Sequence, residues 1–554
     1  MTASPKTTTI ATMHSIPKTK QRHKFYPRSI GIILLGFMSA CSPRVETVSQ
    51  PTASLRQPAA IELFTKGYRQ ISDKFIEPVT ISKLALEGMK GLSAIDPELI
   101  ISRHRSSITL STHDLTIKSF QTPNKHNASA WAGLTVQLWR EARAHSISIQ
   151  NAQPESIYEA IFDGMLSKLD RYSRYAGKKQ ARKNRNRRDG FGGIGIRFRY
   201  KREIIHISRV LKNTPAAHAG LKRGDIITHV GDVPLKGLKS RDIISQLHGP
   251  IQSVINITVR RPDRLKPLTF EIERALIVPN TVTSRVKNGI AIIRIRSFNQ
   301  KTSERTAKHI LKAQTQMRGN FKGVILDLRG NPGGLLKQSI KVADLFLTQS
   351  SIVSTRGRHP DSFQYYEANF EDILKGLPLA VLIDGKSASA SEVLAAALQD
   401  SGRAIIIGTT SYGKGTVQSV IRLPNEGEVT LTWSRLHSPA GYVFHKLGVF
   451  PSICTSGKNE EPSQLIKTAL SKHQQLLSTY QLWWQSNGVS RQKRNDLREI
   501  CPPERRKNKL ETEVALQILA DTMLYARAMM SVPELAQKPL QSPDREISSQ
   551  PTTP

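Results

Sequence analysis

Strand and helix patterns alternate along residues 276–455, and this alternation constrains the fold of the chain more than any other feature. Short apolar runs such as GVILDLRG (323–330), LAVLID (379–384) and AIII (404–407) are separated by segments with helical spacing, such as ASEVLAAALQD (390–400). Parallel strands joined by helical crossovers give this order, because each crossover returns the chain to the same edge of the sheet and covers one of its faces. The pattern predicts a layered α/β core.

The rest of the chain carries other patterns, so the sequence predicts an α+β protein of several domains. A chain of 554 residues is too long for one hydrophobic core. Residues 60–189 are predicted to be a helical N-terminal region, with an insertion near 99–150 that has no interpretable pattern. Residues 190–275 combine Gly-rich turns with alternating strands, which predicts a small β-rich module. Residues 456–534 show helical spacing, and residues 535–554 are predicted to be a disordered tail.

The chain is strongly basic, with 81 Lys and Arg against 44 Asp and Glu and a net charge of +37. Nucleic acid and an anionic membrane surface are partners that such a charge would suit. A solvated basic surface is a simpler explanation. The densest run, KKQARKNRNRR at 178–188, contains no aromatic residue on which a base could stack. We therefore predict a solvated connector within 171–189 and no nucleic-acid partner.

The first residues of the chain resemble a bacterial lipoprotein signal peptide, predicted to span 1–41. Residues 1–30 contain six Lys or Arg and no acid, and they lead into the apolar run SIGIILLGFMSAC. Its apolar part is about ten residues long, which suits a signal peptide and is too short to span a bilayer. Small residues before Cys41 predict lipidation of that cysteine; an ordinary signal peptide cleaved near Ala40 is the alternative. Residues 42–59 would then be a tether, and the protein would lie on the periplasmic side of the bacterial cell envelope, anchored to its membrane by lipid.

Only two other cysteines exist, Cys454 and Cys501. An exported protein meets an oxidising compartment, where an even pair of cysteines predicts a disulfide. The sequence contains no C-x-x-C and no H-E-x-x-H motif, so nothing in it predicts a metal site.

The stretch GTTSYGKGT, residues 408–416, superficially resembles a phosphate-binding loop. Such a loop needs Ser or Thr directly after the lysine and a helix beyond it, because the hydroxyl ligates Mg²⁺ and the helix amides face the phosphates. Here Gly415 follows the lysine, and the next segments alternate as strands do. A lysine on a loop between buried strands is poorly solvated, which lowers its pKa, so Lys414 is a candidate general base.

A base of this kind needs a nucleophile, and the segment SASASE, residues 387–392, offers one 25 residues upstream. It lies where a predicted strand meets a predicted helix, so a serine hydroxyl there would be presented at the helix N-terminus. An ordinary serine-rich helix cap is the alternative.

Four motifs stand in a fixed order along the chain: GNPGG (330–334), SASASE (387–392), LQD (398–400) and GKGTVQ (413–418). Together they resemble the carboxyl-terminal processing (tail-specific) proteases, peptidase family S41. The resemblance covers about residues 60–455, and it implies a ClpP/crotonase-like core, serine endopeptidase activity and no cofactor.

The resemblance also implies roles for individual residues. Ser389 matches the nucleophile, Lys414 the base, and Gln418 the residue that orients the base. Ser387 and Ser391 would then have structural roles. The amides implied for the oxyanion hole are those of Gly333, Gly334 and Ala390.

The β-rich module at 190–275 resembles a PDZ domain of the kind that these proteases carry. The residues matching its carboxylate-binding loop are Gly192, Gly193, Ile194, Gly195 and Ile196. Successive amides in such a loop capture a peptide's terminal carboxylate while the peptide adds as a strand. The resemblance implies protein substrates with apolar C-terminal tails, and self-association or an adaptor partner. A catalytically silent PDZ scaffold is the alternative function.

Overall fold

The computed structural model describes residues 57–201, 203–505 and 509–532. The predicted signal peptide with Cys41, the tether up to residue 56 and the predicted tail at 535–554 lie outside the described residues. Within the described ranges, no helix is both long enough and apolar enough to cross a bilayer.

The N-terminal region packs its helices around large apolar side chains, among them Phe64, Trp131 and Phe162. Its first helix begins at Gln57, three residues inside the predicted tether, because Pro58 suits the first turn of a helix. The uninterpreted insertion contains a three-stranded antiparallel sheet, β1–β2–β3, and two helices, α3 and α4. The elements are α1 (Gln57–Lys74), α2 (Ile81–Lys90), β1 (Ile100–His104), β2 (Ser107–Ser111), β3 (Thr116–Gln121), α3 (Ala128–His145), α4 (Ile147–Asn151), α5 (Pro154–Ser167), β4 (Arg174–Ala176) and α6 (Lys178–Arg188).

The prediction of a solvated connector is wrong at α6, which is a helix of eleven residues. Arg185 and Arg188 both bind the carboxylate of Glu428, which is only 1% exposed. The run was interpreted from its charge alone, but Lys, Arg, Gln and Ala are good helix formers and a buried carboxylate needs cationic partners. Two arginines of the basic run therefore join the N-terminal region to the core through ion pairs with Glu428.

The β-rich module forms one antiparallel sheet in the order β11–β10–β8–β7–β6, with β6 at the edge. Its apolar core includes Ile207, Ile227 and Ile257. A separate pair, β5 with β12, closes the module where the chain enters and leaves it. The elements are β5 (Phe191–Gly193), β6 (Ile196–Lys201), β7 (Ile204–Val210), α7 (Pro215–His218), β8 (Ile226–Val230), β9 (Val233–Pro234), α8 (Ser240–Leu247), β10 (Val254–Arg260), β11 (Leu268–Glu273) and β12 (Ala275–Ile277).

The core contains the parallel sheet that the strand–helix alternation predicts, in the order β13–β14–β15–β18–β19–β22, with only β13 antiparallel. A second, antiparallel sheet has the order β17–β16–β21–β20, and β4 of the N-terminal region pairs with β21. The predicted α+β fold class with an α/β core is confirmed. The elements are β13 (Val282–Lys287), β14 (Ile290–Ile295), α9 (Thr302–Gln316), β15 (Gly323–Asp327), α10 (Leu336–Ala343), β16 (Ser351–Gly357), β17 (Gln364–Glu367), β18 (Leu379–Ile383), α11 (Ala390–Asp400), β19 (Ile405–Gly408), β20 (Thr416–Arg422), β21 (Glu428–His437) and β22 (Ile453–Cys454).

The C-terminal helices pack back onto the core. Ile518 lies in one apolar cluster with Ile325 of β15, and Trp483 lies in the cluster that contains Leu394 of α11. Cys454 and Cys501 are joined in a disulfide, which ties β22 to the segment after α14. The elements are α12 (Pro462–Ser471), α13 (His473–Trp484), α14 (Arg491–Glu499), α15 (Leu510–Ala520) and α16 (Thr522–Met529).

Candidate active site

Ser389 is the N-cap residue of α11, and its backbone conformation is strained. Its φ is +57° and its ψ is −115°, outside the regions that a non-glycine residue normally occupies. Strain of this kind is retained where the surroundings fix it, and it is common at functional sites. The turn before it is held by the buried carboxylate of Asp384, whose Oδ1 accepts from the amides of Gly330 (2.8 Å), Lys386 (3.0 Å) and Ser387 (3.1 Å).

The three serines of SASASE have different hydrogen bonds. Ser387 Oγ donates to the carbonyl of Leu328, and Ser391 Oγ donates to that of Asn331, both at 2.9 Å. These bonds attach the turn to the loop after β15. The hydroxyl of Ser389 donates to no group within the described ranges, so it alone of the three is uncommitted as a donor.

One carboxylate holds the serine turn and the lysine loop together. Glu392 accepts from the amides of Ser389 (2.6 Å), Gly413 (2.6 Å) and Lys414 (2.9 Å), and from the hydroxyl of Ser411 (2.5 Å). Burial raises the pKa of Glu392, and these four donors act in the opposite direction. The sequence alone indicates only an acid in the first turn of a helix at this position, because its role as a bridge depends on residues 389 and 414 being close in space.

The side chain of Lys414 is half-buried against Tyr172, with Nζ 5.1 Å from the centre of the ring. Burial lowers the pKa of Lys414, and the nearby cation of Arg174 adds to that effect, while Glu392 and Asp170 oppose it. Across the part of the chain that the structure describes, no hydrogen bond joins Nζ to Ser389 or Gln418. Tyr172 lies more than two hundred residues before Lys414 in the sequence, and no local motif predicts this contact.

Gln418 lies on β20 beside the lysine loop. Its Nε2 donates to Thr416 Oγ1 at 2.8 Å and more weakly to Thr432 Oγ1 at 3.3 Å. A β-bulge between Val417 and Gln418 interrupts the pairing with β21. Strict alternation along a strand would put Lys414 and Gln418, four positions apart, on the same side, but a bulge removes that guarantee because it inserts an extra residue. With Nε2 bound to the threonines, Oε1 is the atom left to accept from a lysine.

The GNPGG loop packs directly against the serine turn. A Cβ added to Gly333, whose φ is +97°, would lie 2.7 Å from the carbonyl oxygen of Ala388 and 3.0 Å from the amide nitrogen of Ala390, so a larger residue would not fit. The amide of Gly333 already donates to Asn331 Oδ1 at 2.9 Å. Among the described residues, the amides of Gly334 and Ala390 have no acceptor, so they are the better candidates for an oxyanion hole.

Asp327 and Arg329, at the end of β15, support this loop from behind. Arg329 binds Asp327 and Glu511 of α15, each at 2.9 Å, and all three are largely buried. The pKa of Asp327 is lowered: its burial acts to raise it, but the hydrogen bonds and charge of Arg329 act more strongly. The pair is therefore structural.

A shallow apolar groove runs along the edge strand of the β-rich module. Its lining includes Ile194, Phe198, Ile244 and Leu247, and its volume is about 50 Å³. An unpaired strand edge beside an apolar groove is the arrangement that binds an extended peptide. Of the predicted carboxylate loop, Gly192 and Gly193 lie in β5 and pair with β12, while Ile194, Gly195 and Ile196 lie at the groove.

These features define a class of protein: a serine-type hydrolase with an α/β core, a strained serine beside a desolvated lysine, and a peptide-binding module. Comparison with known proteins agrees. Residues 289–455 match the family described as Peptidase family S41, and residues 206–261 match that described as PDZ domain.

The chain is 36% identical over 338 residues to the carboxy-terminal-processing protease of Bartonella bacilliformis, covering 61% of this chain and 77% of that protein. It is 31% identical over 312 residues to the carboxy-terminal processing protease CtpB of Bacillus subtilis, covering 55% of this chain and 64%, just under two thirds, of that protein. A solved structure, the photosystem II D1 C-terminal processing protease, is 24% identical with a TM-score of 0.32 over 56% of this chain and 90% of that one. The chain belongs to peptidase family S41 and is a serine-type peptidase, as the motifs predict.

Proposed function

We propose that this chain is a serine endopeptidase that cleaves exported proteins near their C-terminal tails, with Ser389 as nucleophile and Lys414 as general base. The observation that carries the proposal is the Glu392 carboxylate, which accepts from the backbone amides of both residues, while the Ser389 hydroxyl donates to no other described residue. A nucleophile and its base need this fixed proximity, because a small displacement slows proton transfer severely.

The chemistry follows from the lowered pKa of Lys414. The neutral amine turns from the Tyr172 ring toward Ser389 Oγ, guided by Gln418 Oε1, and takes the hydroxyl proton as Oγ attacks the scissile carbonyl carbon. The amides of Ala390 and Gly334 stabilise the oxyanion. Lys414 then gives its proton to the leaving amine, which frees the new amino terminus and leaves an ester on Ser389. A water molecule, deprotonated by Lys414, hydrolyses the ester and restores the serine.

Substrate capture is assigned to the PDZ domain. The edge of β6 pairs with the substrate tail, the groove beside α8 takes apolar side chains, and the loop at Ile194–Ile196 faces the terminal carboxylate. Lipidation at Cys41 would keep the enzyme at the periplasmic face of the envelope.

The test is an activity assay on an unstructured substrate with an apolar tail. Ser389→Ala and Lys414→Ala should each lower kcat by at least about a hundredfold. Lys386→Ala is the matched control, because Lys386 is exposed and lies only three residues before the nucleophile; it should retain activity. Full cleavage by the Ser389→Ala or Lys414→Ala protein would overturn the proposal, and a folded wild-type protein without any activity would favour a silent PDZ scaffold.

A further inference from the structure

A cavity of about 530 Å³ opens beside the loop that carries Lys414. Tyr172, which contacts Lys414, lines this cavity, and so does Thr416, two residues beyond the lysine. Its walls also include residues 75–77 of the N-terminal region and residues of α14. The volume falls within the range of about 300–1,000 Å³ that ligand sites occupy.

Cations dominate the cavity's charged lining. They are Arg171, Arg435, Lys446, Arg491 and Arg494. The two acids are Glu77 and Asp170, and Asp170 is already bound to the amides of Tyr172 and Ser173. Five cations against two carboxylates leave a net charge of +3 on the cavity lining. Burial lowers the pKa of His445, which also lines the cavity, to about 4, so it adds no charge at neutral pH.

Several partly buried arginines elsewhere in the described residues pair with carboxylates. Arg261 binds Asp225, Arg329 binds Asp327, and Arg403 binds Asp372. Within residues 57–201, 203–505 and 509–532, none of the five cavity cations forms an ion pair with a carboxylate.

Two buried nitrogen atoms at the cavity also lack partners. Arg494 Nε and His445 Nδ1 are both inaccessible and make no hydrogen bond to any described residue. Nη1 of Arg494 donates to the carbonyl of His445 at 2.8 Å, which fixes the guanidinium against the wall. Because both atoms are closed off from solvent, a ligand in the cavity would contact the outer part of the Arg494 guanidinium group instead.

We propose that this cavity binds a carboxylate of the peptide substrate close to the scissile bond, so that the enzyme prefers an acidic group there in addition to an apolar tail. The inference rests on the proposed peptidase function. Guanidinium groups bind carboxylates in a bidentate manner, and Arg435 lies directly opposite Thr416 in the β20–β21 ladder, near the catalytic loop. The carboxylate comes from an Asp or Glu side chain or from the substrate's C-terminus.

The experiment uses the full-length protein and four peptides of one sequence with an apolar tail. Two peptides carry Glu and two carry Gln close to the cleavage site. Within each pair, one peptide has a free C-terminus and the other has an amidated C-terminus. The wild-type protein should cleave one carboxylate form with a kcat/KM about tenfold above that of its neutral counterpart, the size expected for one charge-assisted hydrogen bond. The preference should shrink at high salt, because the cavity is open to solvent.

Arg435→Gln and Arg494→Gln should each bring this ratio close to one, while the Gln peptide with its free C-terminus is still cleaved. Arg285→Gln is the matched control, since Arg285 is exposed on β13 of the same core and does not line the cavity. Arg435 is exposed, so its variant is expected to fold even if the Arg494 variant does not. If the wild-type protein cleaves the Glu peptide with a higher kcat/KM than the Gln peptide, and Arg435→Gln abolishes the difference, the carboxylate is that of a side chain. If the wild-type protein cleaves the free C-terminus faster than the amidated one, and Arg435→Gln abolishes that difference, the carboxylate is the terminal one.

A preference for the free over the amidated C-terminus that survives both Arg435→Gln and Arg494→Gln belongs to the PDZ domain. If no preference for Glu over Gln accompanies it, the inference is overturned. Equal cleavage of all four peptides also overturns the inference. So does inhibition by added inorganic phosphate that is equally strong for the Glu and the Gln peptides and is weakened by Arg435→Gln, since the cavity would then bind a free anion and not a substrate carboxylate. In these cases active cleavage still supports the proposed function, whereas cleavage that persists in Ser389→Ala would remove the function itself.

Discussion

Glu392 is the residue on which the geometry of the site depends most. Its carboxylate is 1% exposed and accepts from three amides and one hydroxyl. A carboxylate only accepts hydrogen bonds, so it suits four converging donors. The carboxamide of glutamine has the same shape but only one accepting oxygen, and its NH₂ group would face some of these donors.

Glu392→Gln should therefore lower the free energy of unfolding by about 2–4 kcal/mol and kcat by more than tenfold. Denaturant unfolding and steady-state kinetics measure the two effects. Glu304→Gln is the control, since Glu304 is also in the first turn of a helix, α9, but is exposed; its change should stay within about 0.5 kcal/mol. Equal effects of the two substitutions would contradict the bridging role.

The pH profile tests the state of Lys414. Its pKa is lowered by burial and by Arg174, and in the proposed mechanism the neutral amine is the active form. The value of kcat/KM should thus be low where the amine is protonated and rise as pH increases through the pKa. Arg174→Gln removes a positive charge, so it should raise that pKa and move the acid limb to higher pH, whereas Arg285→Gln should not. An acid limb that stays in place in Arg174→Gln would contradict the assignment.

At the scale of elements, the sequence predicts those helices and strands whose formation depends on residues close together in the chain. The parallel core follows from apolar strands and amphipathic crossovers, and each signal lies within about ten residues. The motifs also single out Ser389 and Lys414, each on a turn that follows a predicted strand. The contacts of Lys414 with Tyr172 and of α6 with Glu428 join distant segments, so one sequence could not predict them. The bulge at Gln418 leaves no mark in the alternation of TVQSVIR.

The contact between α6 and β21 gives a prediction at this scale. Replacing both Arg185 and Arg188 by Met would leave the carboxylate of Glu428 buried without a cation, which should cost about 3–5 kcal/mol of unfolding free energy. Adding Glu428→Met should recover most of this loss, because no charge is then buried. Denaturant unfolding of the double and triple variants measures the difference, and a triple variant no more stable than the double would contradict the role of the ion pairs.

At the scale of the whole molecule, the proposed function requires the PDZ groove and the catalytic site to act on one substrate. Ile244 lines the groove and is 41% exposed, so Ile244→Glu should spare the fold while repelling an apolar tail. We expect kcat/KM for the tailed substrate to fall about tenfold, with the cleavage of a short peptide that lacks the tail unchanged. Val233→Glu, at an exposed position of the same domain away from the groove, is the control. Equal losses for both substrates would mean that the groove does not select tails.

The most direct measurement is the rate at which a fluorophosphonate probe modifies the protein, with the modified residue located by peptide mass spectrometry. The wild-type protein should be labelled at Ser389, and Lys414→Ala should be labelled at least about a hundredfold more slowly because the hydroxyl has lost its base. Labelling at another serine, or a rate at Ser389 that Lys414→Ala leaves unchanged, would contradict the account.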